Sequence, residues 1–240
     1  MRCQEVTVDC DVGTRSWGGS AGCRNRPWPP GVVGILKPVT SPSFPWQPDE
    51  GSDMATIAFL NFASDLHLYH AGFRNGAGAL IDTLEREQHG QDLLVYPLVY
   101  CLRHAVELAL KMVIRGARNL LDGSGDFPEG HHLHHLWKTA RPLLEQIWKD
   151  DREAFDRVAQ VVESLRLIDP EGEGFRYPVT TRTKATGGLR NPTIDPALRH
   201  LDLRKLYDDV SEVLGLLDGA DTGIDVYVGY KADMRDAYGP

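Results

Sequence analysis

Residues 92–115 read DLLVYPLVYCLRHAVELALKMVIR, and this stretch decides the fold. It has no glycine, and its single proline, Pro97, lies near the start, where a helix tolerates it best. Apolar residues occupy nearly every face, which predicts a central, buried helix. The polar exceptions are Tyr96, Tyr100, Arg103, His104, Glu107 and Lys111. They recur every three or four residues, so they form one seam along one face. A charge in a buried helix is costly unless it is paired. Arg103–Glu107 and Glu107–Lys111 are both i,i+4 pairs, so Glu107 can serve two cations, with His104 one turn from Tyr100 and from Glu107. The seam has two readings. One is a polar network that fixes packing or a dimer register. The other is the wall of a site, with Glu107 and His104 as acid/base or orienting groups.

Upstream, Ile57, Leu60, Phe62, Leu66, Leu68 and Tyr69 recur near helical spacing, and Leu80, Ile81 and Leu84 continue the pattern toward Glu87. Gly72, Gly76 and Gly78 predict a kink or break in its middle. Downstream, a Gly- and Asp-rich loop is expected from Gly116 to Gly130. A helix follows through LWKTARPLLEQIW, with Pro142 as a kink or a new start. Another helix is predicted over 151–168, its apolar stripe being Val158, Val161, Val162, Leu165 and Ile168. Asp169-Pro170 with Gly172 and Gly174 ends it. Residues 175–194, FRYPVTTRTKATGGLRNPTI, read as an extended segment or hairpin. Asp195-Pro196 opens a last helix that Gly219 stops, leaving 220–240 as a loose tail in which IDVYV suits a short strand. The fold class is therefore mainly α, a helical bundle with a short extended or hairpin segment near 175–190.

The first 53 residues differ in kind. Pro27, Pro29, Pro30, Pro38, Pro42, Pro45 and Pro48 are crowded together among glycines, with no hydrophobic period. Such a segment buries too little apolar surface to offset its ordering entropy. It reads as a disordered extension, explained either by a misplaced start, with Met54 as the true first residue, or by a flexible arm anchored through Trp17, Trp28, Phe44 and Trp46. The domain is then expected over 54–218.

The net charge is -8 and the pI about 5.6, which argues against a general nucleic-acid binder but not against a local basic patch. None of Cys3, Cys10, Cys23 and Cys101 forms a C-x-x-C pair, so zinc-ribbon and thioredoxin-like readings fail. Cys101 reads as a core residue. There is neither a secretory signal nor a run of about 18 uninterrupted apolar residues. The expectation is a cytoplasmic protein with no membrane contact.

Two further features carry chemistry. His131, His132, His134 and His135 suggest a metal, and the 131/135 spacing resembles H-E-x-x-H. Position 132 is His rather than Glu, and no third ligand follows from spacing, so neither a catalytic metal nor a cofactor is expected. His131 remains a candidate as a single functional residue. Arg176, Arg182, Lys184 and Arg190 lie in a stretch free of acidic residues from Gly174 to Ile194, which makes it the best anion-binding candidate. Arg176 and Tyr177 suit a phosphate contact or base stacking. The plainer reading packs Tyr177 and pairs Arg176 with Glu107 or Glu163. Walker A, G-x-G-x-x-G and G-x-S-x-G patterns are missing.

Taken in order, YPLVYCLRHAVELALK (96–111), GHHLHHLW (130–137) and FRYP (175–178) resemble a subgroup of the HEPN superfamily across roughly residues 60–218. The resemblance implies a helical bundle, commonly dimeric, from bacterial or archaeal conflict systems: toxin–antitoxin pairs, phage defence or RNA processing. Many HEPN members are metal-independent ribonucleases with an Arg, four to six residues, then His. No Arg–His pair in this chain has that spacing. What the resemblance and the residues together predict is a protein that binds RNA or a nucleotide and forms a homodimer, with an antitoxin or other protein as a further partner. Arg103, His104, Glu107 and His131 are its candidate catalytic set, and Tyr100, Lys111, Arg176 and Tyr177 its ligand contacts. A ribonuclease would use His104 or His131 as base toward a 2′-hydroxyl and Arg103 or Arg176 against developing phosphorane charge. The rival is a non-catalytic module whose seam lies at a homodimer or partner-helix interface.

Overall fold

The structure is a computed structural model that describes residues 53, 55, 58, 66–121, 124–179 and 192–239. The chain divides between Ile57 and Ala58, and the second unit is the one described below. Its elements are α1 (Leu66–Glu87), α2 (Gln91–Leu121), α3 (Leu133–Ile147), α4 (Arg152–Ile168) and α5 (Leu203–Tyr238). The mainly α, bundle-like class expected from the sequence is what forms. The readings of residues 1–52, including the aromatic arm, lie outside the described residues.

The central helix is α2, packed against α1, α3 and α5, while α3 leans on α4 and α4 on α5. Leu98, Leu102, Val106, Leu110, Val113 and Ile114 are essentially inaccessible. Each such side chain contributes about 1.5–3 kcal/mol by leaving water. By length and composition α2 would also suit a bilayer crossing, but its apolar surface is the core of the bundle. Cys101 packs against that core, as its position implied.

Several boundaries differ from expectation, each for a tertiary reason. The α1 helix is unbroken through Gly72, Gly76 and Gly78. Its inward residues are His70, Ala77, Ile81 and Leu84, so Leu68 and Tyr69 face solvent instead of joining the stripe. The α2 helix runs on through Gly116 to Leu121, where a loop was expected. A Cβ at Gly116 would lie 3.0 Å from Ile224 Cγ2, so this glycine is a point of close approach between α2 and α5 and not a stop. Pro142 lies inside an uninterrupted α3. The α4 helix matches its predicted span and stripe, with Phe155 added to the buried face.

The largest correction is α5. It does not begin at Asp195-Pro196, where Asp195 Oδ1 instead closes a turn by accepting from Ala197 N at 2.8 Å. The helix begins after Asp202, whose carboxylate accepts from Lys205 N at 3.0 Å as an N-cap. It passes through Gly219 and takes in the supposed tail, IDVYV included. What carries it past the glycine is packing: Ile224 is fully buried, Val228 rests on the core, and Lys231 Nζ donates to the Leu120 carbonyl at the end of α2. That cation meets the negative end of the α2 dipole. Of the hairpin expected over 175–194, the described residues contain one antiparallel bridge, Val179 to Pro192. Residues 180–191 lie outside the described residues.

Candidate functional site

The seam on α2 does what its spacing demanded. Glu107 is 2% exposed, and its Oε1 accepts from Lys111 Nζ at 2.9 Å, one turn along the same helix. The same oxygen lies 2.8 Å from His131 Nδ1. Oε2 faces His104 Nδ1 at 3.6 Å and Arg103 Nη1 at 3.9 Å. Burial alone would raise the Glu107 pKa. The contacts from His104, Lys111 and His131 outweigh burial and bring it down to about 2. Glu107 is therefore a carboxylate at any working pH. Of its two expected roles, orienting others suits this geometry better than carrying protons.

His131 is the outward-facing member. A carboxylate only accepts, so Nδ1 carries the proton in this contact and Nε2 is left as an acceptor. The imidazole is 69% exposed, in contrast to the carboxylate that holds it. The loop before α3 is tied down by Arg103, whose Nη2 donates to the His131 carbonyl at 3.0 Å. Lys111 also lies 5.6 Å from the centre of the Phe127 ring, in cation–π range.

Arg103 is a hub more than a surface cation. It is 6% exposed, with Nε 3.5 Å from Asp169 Oδ2. Asp169 Oδ1 accepts from Gly174 N at 2.8 Å, closing the turn after α4. Gly172 in that turn has φ +73°, and a Cβ there would sit 2.7 Å from the guanidinium carbon of Arg103. Only glycine meets both conditions. The turn is thus built directly over Arg103, and Arg176 follows from it, its Nε donating to the Gly172 carbonyl at 2.9 Å. The Arg176 guanidinium lies 5.7 Å from the ring centres of both Tyr100 and Tyr177. Tyr100 stacks on His104 at 5.8 Å and 7° between planes, and Phe73 of α1 meets His104 edge-on at 4.4 Å.

All eight candidate residues therefore belong to one assembly around Arg103 and Glu107. The pairing of Arg176 with Glu107 or Glu163 does not occur: among the described residues it has no carboxylate at ion-pair distance, and Glu163 is held by Arg166. Tyr177 is 47% exposed, not packed away. The other three histidines of the cluster make no contact with Glu107 but border the far side of Arg103 and Asp169. His132, His134 and His135 line a cleft of about 440 Å³ with Glu163, Arg166 and Asp169. Among the described residues no three His, Cys, Asp or Glu side chains converge to hold a metal ion.

Three contributors escaped the sequence reading. Asp169 looked like a helix stop, although an acid followed by Pro and two glycines also describes a turn folded around a carboxylate. Phe73 sits among glycines that drew attention to breakage. The third is a second buried cluster. His70 of α1 is 5% exposed, with Nδ1 3.0 Å from the Ala105 carbonyl and Nε2 3.0 Å from Asp218 Oδ1. Arg74 also pairs with Asp218, and His67 lies 3.6 Å from the buried Asp221. No single-helix spacing announces it, because its members come from α1, α2 and α5.

The chain matches none of the protein-family models, curated proteins or solved structures compared with it. The class that fold and site define is an all-α bundle with a buried carboxylate presenting an exposed histidine.

Proposed function

We propose that this is a HEPN-like protein that binds RNA and cleaves it without metal or cofactor, acting in the cytoplasm in bacterial defence, a toxin–antitoxin pair or stress response. One observation carries the reading: the buried Glu107 carboxylate holds the exposed His131 imidazole by Nδ1 at 2.8 Å. A histidine in that tautomer is a general base through Nε2, and the carboxylate stabilises the imidazolium that forms. His131 takes the proton of a 2′-hydroxyl as its oxygen attacks the adjacent phosphorus. The bond from phosphorus to the 5′-oxygen breaks, leaving a 2′,3′-cyclic phosphate, and the departing 5′-oxygen takes a proton from water. Arg176 faces the charge that develops on the phosphoryl oxygens. His104, wedged between Tyr100 and Phe73, positions Glu107 and does not act as the base.

The test is induction of the full chain in bacteria, wild type beside His131→Ala, with growth followed and total RNA run on a gel. The exposure of His131 makes the variant benign to the fold. Growth arrest with RNA fragmentation is expected for wild type, with cleavage slowed about 10²–10⁴-fold in the variant. Fragmentation that persists undiminished in His131→Ala would sink the assignment.

A second reading, a non-catalytic homodimeric or partner-binding module, is favoured by a separate observation. Val226, Tyr227, Tyr230, Met234 and Tyr238 form an exposed apolar stripe along the end of α5. Normal growth and intact RNA on induction of soluble wild type would favour that reading.

A further inference from the structure

Arg176 is an exposed arginine whose outer nitrogens are unrestrained among the described residues. Its Nε is committed to the Gly172 carbonyl at 2.9 Å. Its flat face lies 5.7 Å from the ring centres of Tyr100 and Tyr177. Neither Nη1 nor Nη2 has a hydrogen-bond partner among the described residues, and no described carboxylate pairs with it. An arginine fixed through Nε and stacked on rings is a preorganised fork, the geometry that suits a phosphate better than a water-solvated lysine would. It is also held near a second guanidinium. Arg103 has its pKa lowered first by burial, and, against the pulls of Asp169 and Glu107, by the charge of Arg176. Two like charges brought together by a closed turn leave a positive excess that an anion relieves.

The surroundings of the fork add a second requirement on the ligand. Tyr96 and Tyr177 are each 47% exposed, and Tyr96 leans on Phe175 at 6.2 Å between ring centres. A bare phosphate would use the fork and leave these rings in water. A duplex would offer phosphates but keep its bases stacked inside. A ligand that uses both is an unpaired base next to a phosphate.

We infer that Arg176 and Tyr177, set on the Tyr100 ring by the Gly172 turn, form a subsite for an unpaired nucleotide. The fork takes its phosphate and the tyrosine ring its base, so the site selects single-stranded over duplex RNA. This rests on the RNA reading above and names the form of RNA that the same site accepts. The subsite adjoins the His131–Glu107 pair through Arg103, which touches both the His131 carbonyl and the turn that carries Arg176.

The experiment uses fluorescence anisotropy with the full chain and a labelled oligoadenylate, free or annealed to oligouridylate. The free strand should bind about tenfold tighter than the duplex. Tyr177→Ala and Arg176→Lys should each weaken free-strand binding on the order of tenfold, and Tyr177→Phe should preserve it. Arg176→Lys keeps the charge, so its loss reads the fork and the stacking alone. Displacement of the strand by adenosine monophosphate at similar concentration would assign the subsite to a free nucleotide, and failure to displace to a strand. Equal binding of strand and duplex, or Tyr177→Ala binding like wild type, overturns the inference while leaving RNA binding standing. Wild type that binds neither form overturns both.

Discussion

The bundle holds two buried polar clusters with opposite polarity. Around Glu107 an anion is enclosed by the cations Lys111 and Arg103 and by the imidazoles of His104 and His131, with Arg176 beyond. Around His70 it is the histidine that is enclosed, with Asp218 and the Ala105 carbonyl as its partners and Asp221 nearby in α5. Nδ1 of His70 donates to the Ala105 carbonyl, and Nε2 lies 3.0 Å from Asp218 Oδ1, an ion pair when the ring is charged. Burial opposes that charge, but Asp218 and the Ala105 carbonyl outweigh it and raise the pKa above the ordinary value. The difference lies in where each cluster ends. The His70 cluster ties three helices together, and its exposed members turn back onto its own carboxylates, Arg74 onto Asp218 and His67 onto Asp221. The Glu107 cluster runs outward into an exposed imidazole and an exposed guanidinium, so it has groups left over for a ligand. A polar network that only fixes packing has no need of such surplus.

The sharpest way to break this contrast is Glu107→Ala. It leaves Lys111 buried without its anion and Arg103 with Asp169 alone, and urea unfolding should show a loss on the order of 3–5 kcal/mol. The pH profile sharpens the same point. A carboxyl whose folded pKa is about 2, below its ordinary 4.5, contributes stability that is present above pH 4.5 and is lost as pH falls toward 2. Glu107→Gln should flatten that acid limb. An unchanged limb would mean that other carboxylates govern it.

His70→Gln tests the other cluster and should show the opposite sign. A folded pKa raised above 6.5 contributes stability that is complete below pH 6.5 and is lost as pH rises through the folded pKa. The variant should therefore lose about 2 kcal/mol at pH 5, and the gap to wild type should narrow at pH 9, read by urea unfolding. A gap independent of pH would contradict a raised His70 pKa.

The smallest effect concerns the connection between the regions. At Gly219 an added Cβ meets nothing within 4 Å, so Gly219→Ala should stabilise α5 by about 0.5–1 kcal/mol. A change in thermal unfolding in the other direction would mean that the glycine is needed where it stands.

Much of the first cluster was legible because it lies on one helix. Tyr100, Arg103, His104, Glu107 and Lys111 share a face by spacing alone, and the paired charges announced a buried network. That His131 reaches Glu107 does not follow from spacing, since a loop separates them; it is the resemblance carried by GHHLHHLW that puts His131 in the same candidate set. The second cluster depends on α1 meeting α5, which no local pattern encodes. The end of α5 was misread for a related reason. Gly219 is a fair local stop signal, and it is overridden by Ile224 seated against Gly116, a contact between residues far apart in sequence.

That seat has a mechanical consequence. At about 1.5 Å per residue, the 36 residues of α5 make a rod of about 54 Å. Its last turns are exposed, while its middle bears on Gly116 of α2 through Ile224 and on Leu120 through Lys231. A force applied at Tyr238 is delivered to the same helix that carries Arg103 and Glu107. Whatever grips the free end of α5 holds a lever whose fulcrum is on α2.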